Sequence, residues 1–287
     1  MSERGELQRV NSWRVVSILL GLLLAAGCAG PTALRDVSHA NHSAPLATDA
    51  DSCAALINGS DPLLESRPVA REFSVAVWNA KKVAGSPWRE DLNWLTDEYD
   101  LVLVQEFALA EDWEESGFLS FAPGFGTNQA VTGVATVSRV EPEVRCQFEA
   151  REPMLRTRKA TIITSFPLEN GDSLVVVNLQ AVNFALGLVN FRSQLDQAVQ
   201  AVAGHRGPLI FSGDFNTWRA ARVAMKEDLL MQLDLQPVAF ETDERKKVFG
   251  QYLDHVYVRG LRIIEATTSV VEVSDHNPMF VRLEQIQ

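Results

Sequence analysis

Five polar clusters stand at the ends of apolar runs in this chain: Trp78-Asn79, Gln105-Glu106, Gly213-Asp214-Phe215-Asn216, Leu253-Asp254-His255 and Ser274-Asp275-His276-Asn277-Pro278. Short runs rich in Val, Ile and Phe are strands rather than helices. The spacing predicts strands over Phe73–Trp78, Leu101–Gln105, Gly133–Ser138, Ala160–Ser165, Leu174–Leu179, Leu209–Ser212, His255–Val258 and Met279–Leu283. Two of them, Leu101–Val104 and Leu174–Val177, are apolar at every position, as strands covered on both faces are. Between the strands, Trp88, Leu92, Leu95 and Tyr99 share one helical face, as do Phe191, Leu195, Ala198 and Val202, and a less regular helix follows Thr217. Strands mixed with helices give a layered α/β sandwich, in which loops at strand ends carry the chemistry. A chain of 287 residues that is 46% hydrophobic fills one such core behind an N-terminal extension.

That extension carries Arg4, Arg9 and Arg14, then the apolar stretch Val15–Ala26 and Gly27-Cys28. The stretch is shorter than the roughly 20 residues a spanning helix needs, and it has the charged start, apolar middle and small-residue end of a secretory signal. Leu24-Ala25-Ala26-Gly27-Cys28 resembles a bacterial lipobox. The resemblance implies removal of residues 1–27, lipidation of Cys28 and anchoring at the cell envelope, with Ala29 favouring the outer membrane. An ordinary secretory signal with an incidental Cys, or an uncleaved anchor, is the alternative. Residues 28–67, rich in Ala, Ser, Asp, Asn and Pro, read as a tether into a domain over 68–287. If Cys28 takes lipid, Cys53 and Cys146 remain, and an exported domain tolerates a bridge between them; two unpaired thiols are the other possibility. The formal charge of −11 gives no general attraction for a polyanion, although a local basic groove and a bound cation can outweigh it.

Carboxylates, carboxamides and an imidazole at strand ends are the groups a metal-assisted phosphoryl hydrolase uses. Glu106, after an apolar run, is the foremost metal candidate, because a hard cation such as Mg2+ or Mn2+ takes oxygen ligands and needs only one or two carboxylates beside phosphate and water. Asp214 and Asn216 are two apart and project from the same side of an extended segment; an Asx-type turn closing the strand is compatible with the same residues. His276 is the best acid/base imidazole. His255 falls on the opposite side of its strand from Asp254 and reads as structural.

Taken in order, WN, QE, GDFN, LDH and SDHNP resemble the endonuclease/exonuclease/phosphatase superfamily from about Phe73 onward, and REPMLR (151–156), VVNLQAVNFALG (176–187) and FGQYLDHVYVRGL (249–261) look closer still to its YafD-like branch. The resemblance implies the DNase I-like four-layer α/β sandwich, two mixed β-sheets packed face to face with helices outside. It implies a divalent-metal-dependent phosphoesterase acting on phosphodiesters of nucleic acid or phospholipid headgroups, with monoesters second. Asn79 and Asp275 would join Glu106 at the cation. Asp214 would orient or deprotonate water, Asn216 would donate to a phosphoryl oxygen, and Asp254 would pair with His276. Arg158 and Lys159 match a basic spot near the substrate phosphate, and Arg156 and Arg139 are weaker candidates.

Two positions depart from the pattern. Lys81 stands where many nuclease relatives have Asp, which points to one metal and leaves Lys81 as a phosphate contact. Asn178-Leu179-Gln180 stands where Asn-x-His is usual: Asn178 and Gln180 can hold a phosphate oxygen, but a carboxamide is no general acid. A catalytically impaired, phosphate-binding lipoprotein is therefore the alternative function. Membrane contact would run through the N-terminal lipid, and no protein partner can be inferred. Trp113, Phe118, Phe121 and Phe125 either stack on a base, enter a lipid surface or form a local core.

Overall fold

Alternation along the strands sorts their side chains into two faces. In β2 (Glu72–Asn79), Val75 and Val77 join one buried cluster while Ala76 and Trp78 join another; in β3 (Leu101–Leu109), Leu101 and Leu103 go with the first, Val102 and Val104 with the second. β8 (Ser173–Gln180) sends Leu174 and Val176 into that same first cluster and Val175, Val177 and Leu179 to its opposite face. The first cluster is thus the seam between two sheets, and helices cover the outer faces. A computed structural model describes residues 40–59, 67–81, 87–109, 117–126, 131–155, 157–185 and 187–286. The expected signal sequence with Cys28, together with Trp113 and Arg156, lies outside the described residues.

One sheet runs in the order β14 (Leu261–Thr268), β15 (Met279–Gln285), β2, β3, β5 (Val131–Ser138), β4 (Phe118–Gly126). The other runs β1 (Leu46–Ala47), β6 (Val144–Arg151), β7 (Arg158–Pro167), β8, β9 (Leu209–Asp214), β13 (Asp254–Arg259), β10 (Gln236–Pro237). Both are mixed, with β2–β3 and β8–β9 parallel among antiparallel neighbours. Leu92 and Leu95 of α2 (Pro87–Glu98) seal the first sheet; α1 (Ala50–Gly59), α3 (Val189–Val202) and α4 (Ala220–Met231) seal the second. The four-layer sandwich expected from the sequence is the observed fold. A small hairpin of β11 (Lys247–Val248) and β12 (Gln251–Tyr252) stands apart from both sheets.

Part of the expected tether, residues 40–59, belongs to the folded body. The Asn41 amide donates to Gly117 O and its oxygen accepts the Leu119 N–H, both at 2.8 Å, and β1 extends a sheet beside β6. Cys53 of α1 is disulfide-bonded to Cys146 of β6, with Cα atoms 5.7 Å apart, so the two cysteines are paired. Composition pointed the other way because this segment packs with few apolar groups, and Ala47, Ala50, Cys53 and Ile57 are all buried. β4, β6 and β14 are also absent from the strand reading. In β6 the buried Cys146 and Phe148 alternate with Arg145, Gln147 and Glu149, and a half-polar strand carries no apolar run. In β4, Phe121 is buried against Phe107 at 5.8 Å, which answers for the local-core reading at that ring.

Three histidines that do not face the seam between the sheets are held neutral. Burial, then the charge of Arg145, lowers the His42 pKa to about 4; burial also lowers His205 and takes His255 well below 6.5. Unfolded, each binds a proton below about 6.5. Stability should therefore fall as pH drops from 6.5 toward about 4, with no contribution from these groups above 6.5. Thermal melts across that window should show the decline, and His42→Gln should shallow it; an unchanged slope in that variant would remove His42 from the account.

Candidate active site

The inward alternation of β8, β9 and β13 continues past the apolar seam into polar residues. Asn178 and Gln180, Ser212 and Asp214, and Asp254 all follow inward-facing neighbours, and the ladder sets Asp254 directly opposite Asp214. From the other sheet, Asn79 follows Val77 inward and its amide donates to Asp214 Oδ2 at 3.0 Å. The sheets therefore meet at one end through buried polar side chains instead of apolar ones.

Just behind this edge, Gln105 Nε2 donates to Asn178 Oδ1 at 2.6 Å and Asn178 Nδ2 donates to Ala135 O at 2.9 Å. Asn178 is fully buried and committed at both ends. It is a strut between the sheets, not the phosphate contact expected.

Simple alternation would send Glu106 outward, since Gln105 faces in. The register between β3 and β5 shifts at Gln105/Phe107, and Glu106 occupies the bulge with φ of 56°. A bulge of this kind re-aims one side chain. Phe107 takes the outward place beside Phe121, and Glu106 reaches Gln180, whose Nε2 donates to Oε1 at 2.7 Å, with Lys159 Nζ at 3.9 Å. Gln180 is thus anchored on Glu106, not poised as a proton donor. Gln194 of α3 fixes the strand end in turn, donating to Gln180 O at 2.9 Å and accepting the Val182 N–H at 2.9 Å.

Asp214 and Asn216 are brought together by a turn, not by an extended strand. Asn216 has φ of 50°, its N–H donates to Asp214 Oδ1 at 2.9 Å, and its Nδ2 donates to Asp214 Oδ2 at 3.1 Å and Ala181 O at 3.0 Å. Gly213 is required beside it: a Cβ there would lie 2.0 Å from Leu179 O. The Asn216 amide is spent on Asp214 and the neighbouring strand end. In this arrangement it positions Asp214.

His276 comes from the loop between β14 and β15. Ser274 Oγ donates to Asn79 O at 2.7 Å and accepts the His276 N–H at 3.1 Å, while Trp78 Nε1 donates to His276 O at 3.0 Å. The ring is thereby fixed with Nδ1 2.7 Å from Asp254 Oδ2. Burial works against the imidazolium, but Asp254, then Asp214 and Asp275, outweigh it and raise its pKa to about 9. For Asp214, burial and the facing Asp254 push upward against His276, Lys159 and the Asn216 N–H, leaving it at about 6. Near neutral pH this is an ionised carboxylate beside a protonated imidazole, a base and an acid set apart by their surroundings.

Donor atoms of Asp214, Asp254 and His276 lie within 4.8 Å of one another, close enough to hold a metal ion. In the structure Nδ1 is already engaged by Asp254 Oδ2 at 2.7 Å, so the trio also has the arrangement for passing a proton. Glu106, Asn79 and Asp275 each carry an oxygen of the kind a hard divalent ion takes, and in the structure these oxygens meet Gln180 and Lys159, the Lys81 N–H, and the two lysines beside Asp275 respectively. Asp275 is half-exposed between Lys81 Nζ at 3.6 Å and Lys246 Nζ at 3.9 Å. Of the remaining candidates, Arg158 is held by both Glu149 oxygens at 2.8 and 2.9 Å and Arg139 by Asp100 at 3.6 Å. His255 sits on the outer face, bonded to Thr217 Oγ1 and Lys226, in keeping with a structural role.

The sequence reading passed over Arg222. It is fully buried in α4 and donates to Val182 O at 2.7 Å, Asn183 O at 2.9 Å and Asn216 O at 3.0 Å, with Phe191 and Trp218 against its guanidinium. The available signal was its place with Lys226, Leu229 and Leu230 on one helical stripe, which is the stripe that is buried. Arg222→Ala strands three carbonyls and should destabilise the fold by about 3–5 kcal/mol. Arg222→Lys should recover little of that, since an ammonium lacks the planar fork. Chemical denaturation measures both, and a loss under about 1 kcal/mol for the alanine variant would contradict the assignment.

Two mixed sheets face to face, with Asp214, the facing Asp254–His276 pair and the bulge-borne Glu106 at one shared edge, make a fold of the DNase I-like plan. The fold is shared with the human Nocturnin catalytic domain with bound sulfate, at TM-score 0.57 and 16% identity over 77% of this chain and 97% of that one. It is shared as well with an endonuclease/exonuclease/phosphatase from Beutenbergia cavernae, at TM-score 0.56 and 15% identity over 75% and 72%. Residues 44–276 match the Endonuclease/Exonuclease/phosphatase family, and the chain belongs to it, among hydrolases acting on phosphoester bonds. A UPF0294 protein of Yersinia pseudotuberculosis is 36% identical over 228 residues, covering 78% of this chain and 88% of that protein.

Proposed function

We propose that this protein is a divalent-metal-dependent phosphodiesterase of the bacterial cell envelope. The observation that carries the reading is geometric: Asp214 stands directly opposite Asp254 on the ladder, and Asp254 holds His276 Nδ1 at 2.7 Å, all at one buried sheet edge. Asp214, steadied by Asn79 and Asn216, takes the proton of the attacking water. His276, steadied by Asp254, gives a proton toward the leaving oxygen or holds a phosphoryl oxygen through its other ring nitrogen. Glu106, Asn79 and Asp275 would hold Mg2+ or Mn2+, which when bound polarises the phosphoryl group. Lys159 offers positive charge beside Glu106. Gln180 is not needed as an acid in this arrangement, because His276 is already protonated at neutral pH, and the binding-only alternative loses its motive. The YafD-like branch is supported by the three stretches that suggested it. Nucleic acids and phospholipid headgroups both remain within the substrate class.

Export through the signal sequence and lipidation of Cys28 complete the proposal. The Cys53–Cys146 disulfide supports it, since such bonds persist outside the reducing cytosol. Acyl labelling lost in Cys28→Ala would test the anchor.

The activity test is product release from plasmid DNA, RNA, lysophospholipid, sphingomyelin and a chromogenic diester, with Mg2+ and with EDTA. Turnover should require the cation and fall to background in Glu106→Ala, whose carboxylate is the fixed end of the oxygen set. Turnover that survives both EDTA and Glu106→Ala would overturn metal dependence. Silence on every substrate, with gain of activity in Gln180→His, would restore the impaired reading.

A further inference from the structure

The edge described above opens on two sides that differ in chemistry. On the Glu106 side, a small recess of about 160 Å3 is lined by Glu106, Arg158, Lys159 and Gln180, with Asn183 and Phe184 at its rim. On the other side a larger open pocket of about 380 Å3 begins at Asn216 and again at Asn183 and Phe184. Its walls are Met154, Phe184, Trp218, Val248, Phe249 and Leu253, so apart from the two asparagines its named walls are almost wholly apolar. Phe184 is 51% exposed, Met154 60% and Phe249 85%. Large apolar side chains gathered at one rim mark a binding surface more often than chance exposure does.

Phe249 adds an independent observation. It sits at the tip of the β11–β12 hairpin with φ of 50°, followed by Gly250 at 78°. A bulky residue is strained there, whereas Gly or Asn would not be. The ring nevertheless projects over the pocket, 6.4 Å edge-on from Trp218. Strain retained beside a catalytic centre, with an apolar ring held in water, is the pattern of a ligand contact.

The charges about the mouth decide between occupants. Lys81 and Lys246 face Asp275, Arg158 is held by Glu149, Lys159 by Glu106 and Arg245 by Asp243. Lys247 and Arg219 lie over the rings of Tyr252 and Trp218. Of these seven cations five face carboxylates, with Lys81 and Lys246 sharing Asp275, and two lie on rings; cations so engaged are not laid out to follow a polyanionic backbone, while a single phosphate needs few of them. The geometry points to an amphiphilic phosphodiester with a hydrocarbon chain, a lipid in class: the phosphate lies at Asp214 and His276, the polar group in the Glu106 recess, and the chain in the pocket of Phe184, Trp218 and Phe249.

This substrate assignment rests on the phosphodiesterase reading, so its test measures binding without turnover. The full protein in EDTA is titrated calorimetrically with dodecylphosphocholine below its micelle threshold, with glycerophosphocholine, and with single-stranded oligothymidylate. Dodecylphosphocholine should bind at least about tenfold more tightly than glycerophosphocholine, as burial of a few methylenes gives. Phe184→Ala and Phe249→Gly should each bring that ratio close to one. Phe249→Gly should also melt no lower than the native protein, because glycine relieves the positive φ, and a merely structural phenylalanine would not behave so. Equal affinities for the two cholines, a chain preference that survives both substitutions, or tighter binding of oligothymidylate would overturn the assignment. Failure of the phosphodiesterase reading is a separate result, seen as absent turnover of the chromogenic diester with Mg2+.

Discussion

Asp214→Asn should lower kcat on a chromogenic phosphodiester by on the order of 10³ while the protein still melts cooperatively. The carboxylate is the water-activating group of the proposed mechanism, and nothing else described at the edge can replace it. Asp254 is occupied by His276, and Glu106 by Gln180 and Lys159. The fold should tolerate the change because burial already disfavours the charged form of Asp214, which is why its pKa is raised. An amide at this position keeps the shape; a nitrogen in place of Oδ2 would lose the two hydrogen bonds from Asn79 and Asn216, so the amide should turn its nitrogen to the Oδ1 side and lose only the one from the Asn216 N–H. Because the loss falls on the chemical step, KM should change little. A variant that keeps more than about a tenth of native kcat would show that another group activates the water.

Removing the imidazole should have the next largest effect. His276→Gln should cut kcat by about 10²–10⁴, and the pH profile should say why. In the native enzyme, activity should rise as Asp214 ionises through about 6 and fall as His276 loses its proton through about 9. Asp254 is the main group raising His276, and Asp254→Asn should therefore move the alkaline limb to lower pH. The same linkage acts on stability. His276 binds its proton more tightly when folded, so its contribution is present in full below about 6.5 and is lost as pH rises through about 9. Above neutrality Asp254→Asn should thus flatten the decline of Tm with pH. An alkaline limb that stays in place in Asp254→Asn would mean that His276 is not the group titrating there.

These residues show where the sequence could and could not be read. Each polar cluster lies next to an apolar run, so Asn79, Asp214 and Asp254 were legible as strand-end groups, whereas the face each one takes was not, because a run apolar at every position marks no inward side. The layers were legible from the same runs, because an apolar strand needs cover on both sides. The segment at 40–59 was not, since a single disulfide and a handful of small buried residues hold it down.

Local chemistry was settled by the chain itself: which side chains can ionise, which can only donate or accept, and which runs must be buried. What only the tertiary structure decided is where those groups point once backbone geometry departs from the regular period. The bulge at Glu106 reverses the face that alternation assigns, and the turn at Asn216 brings its amide onto Asp214. Asn178, legible as a polar strand-end residue, became a strut because Gln105 stands across the seam from it, and no one-dimensional pattern records what lies across a seam. Side-chain direction follows from sequence only while the strand stays regular, and this site is built where the strands stop being so.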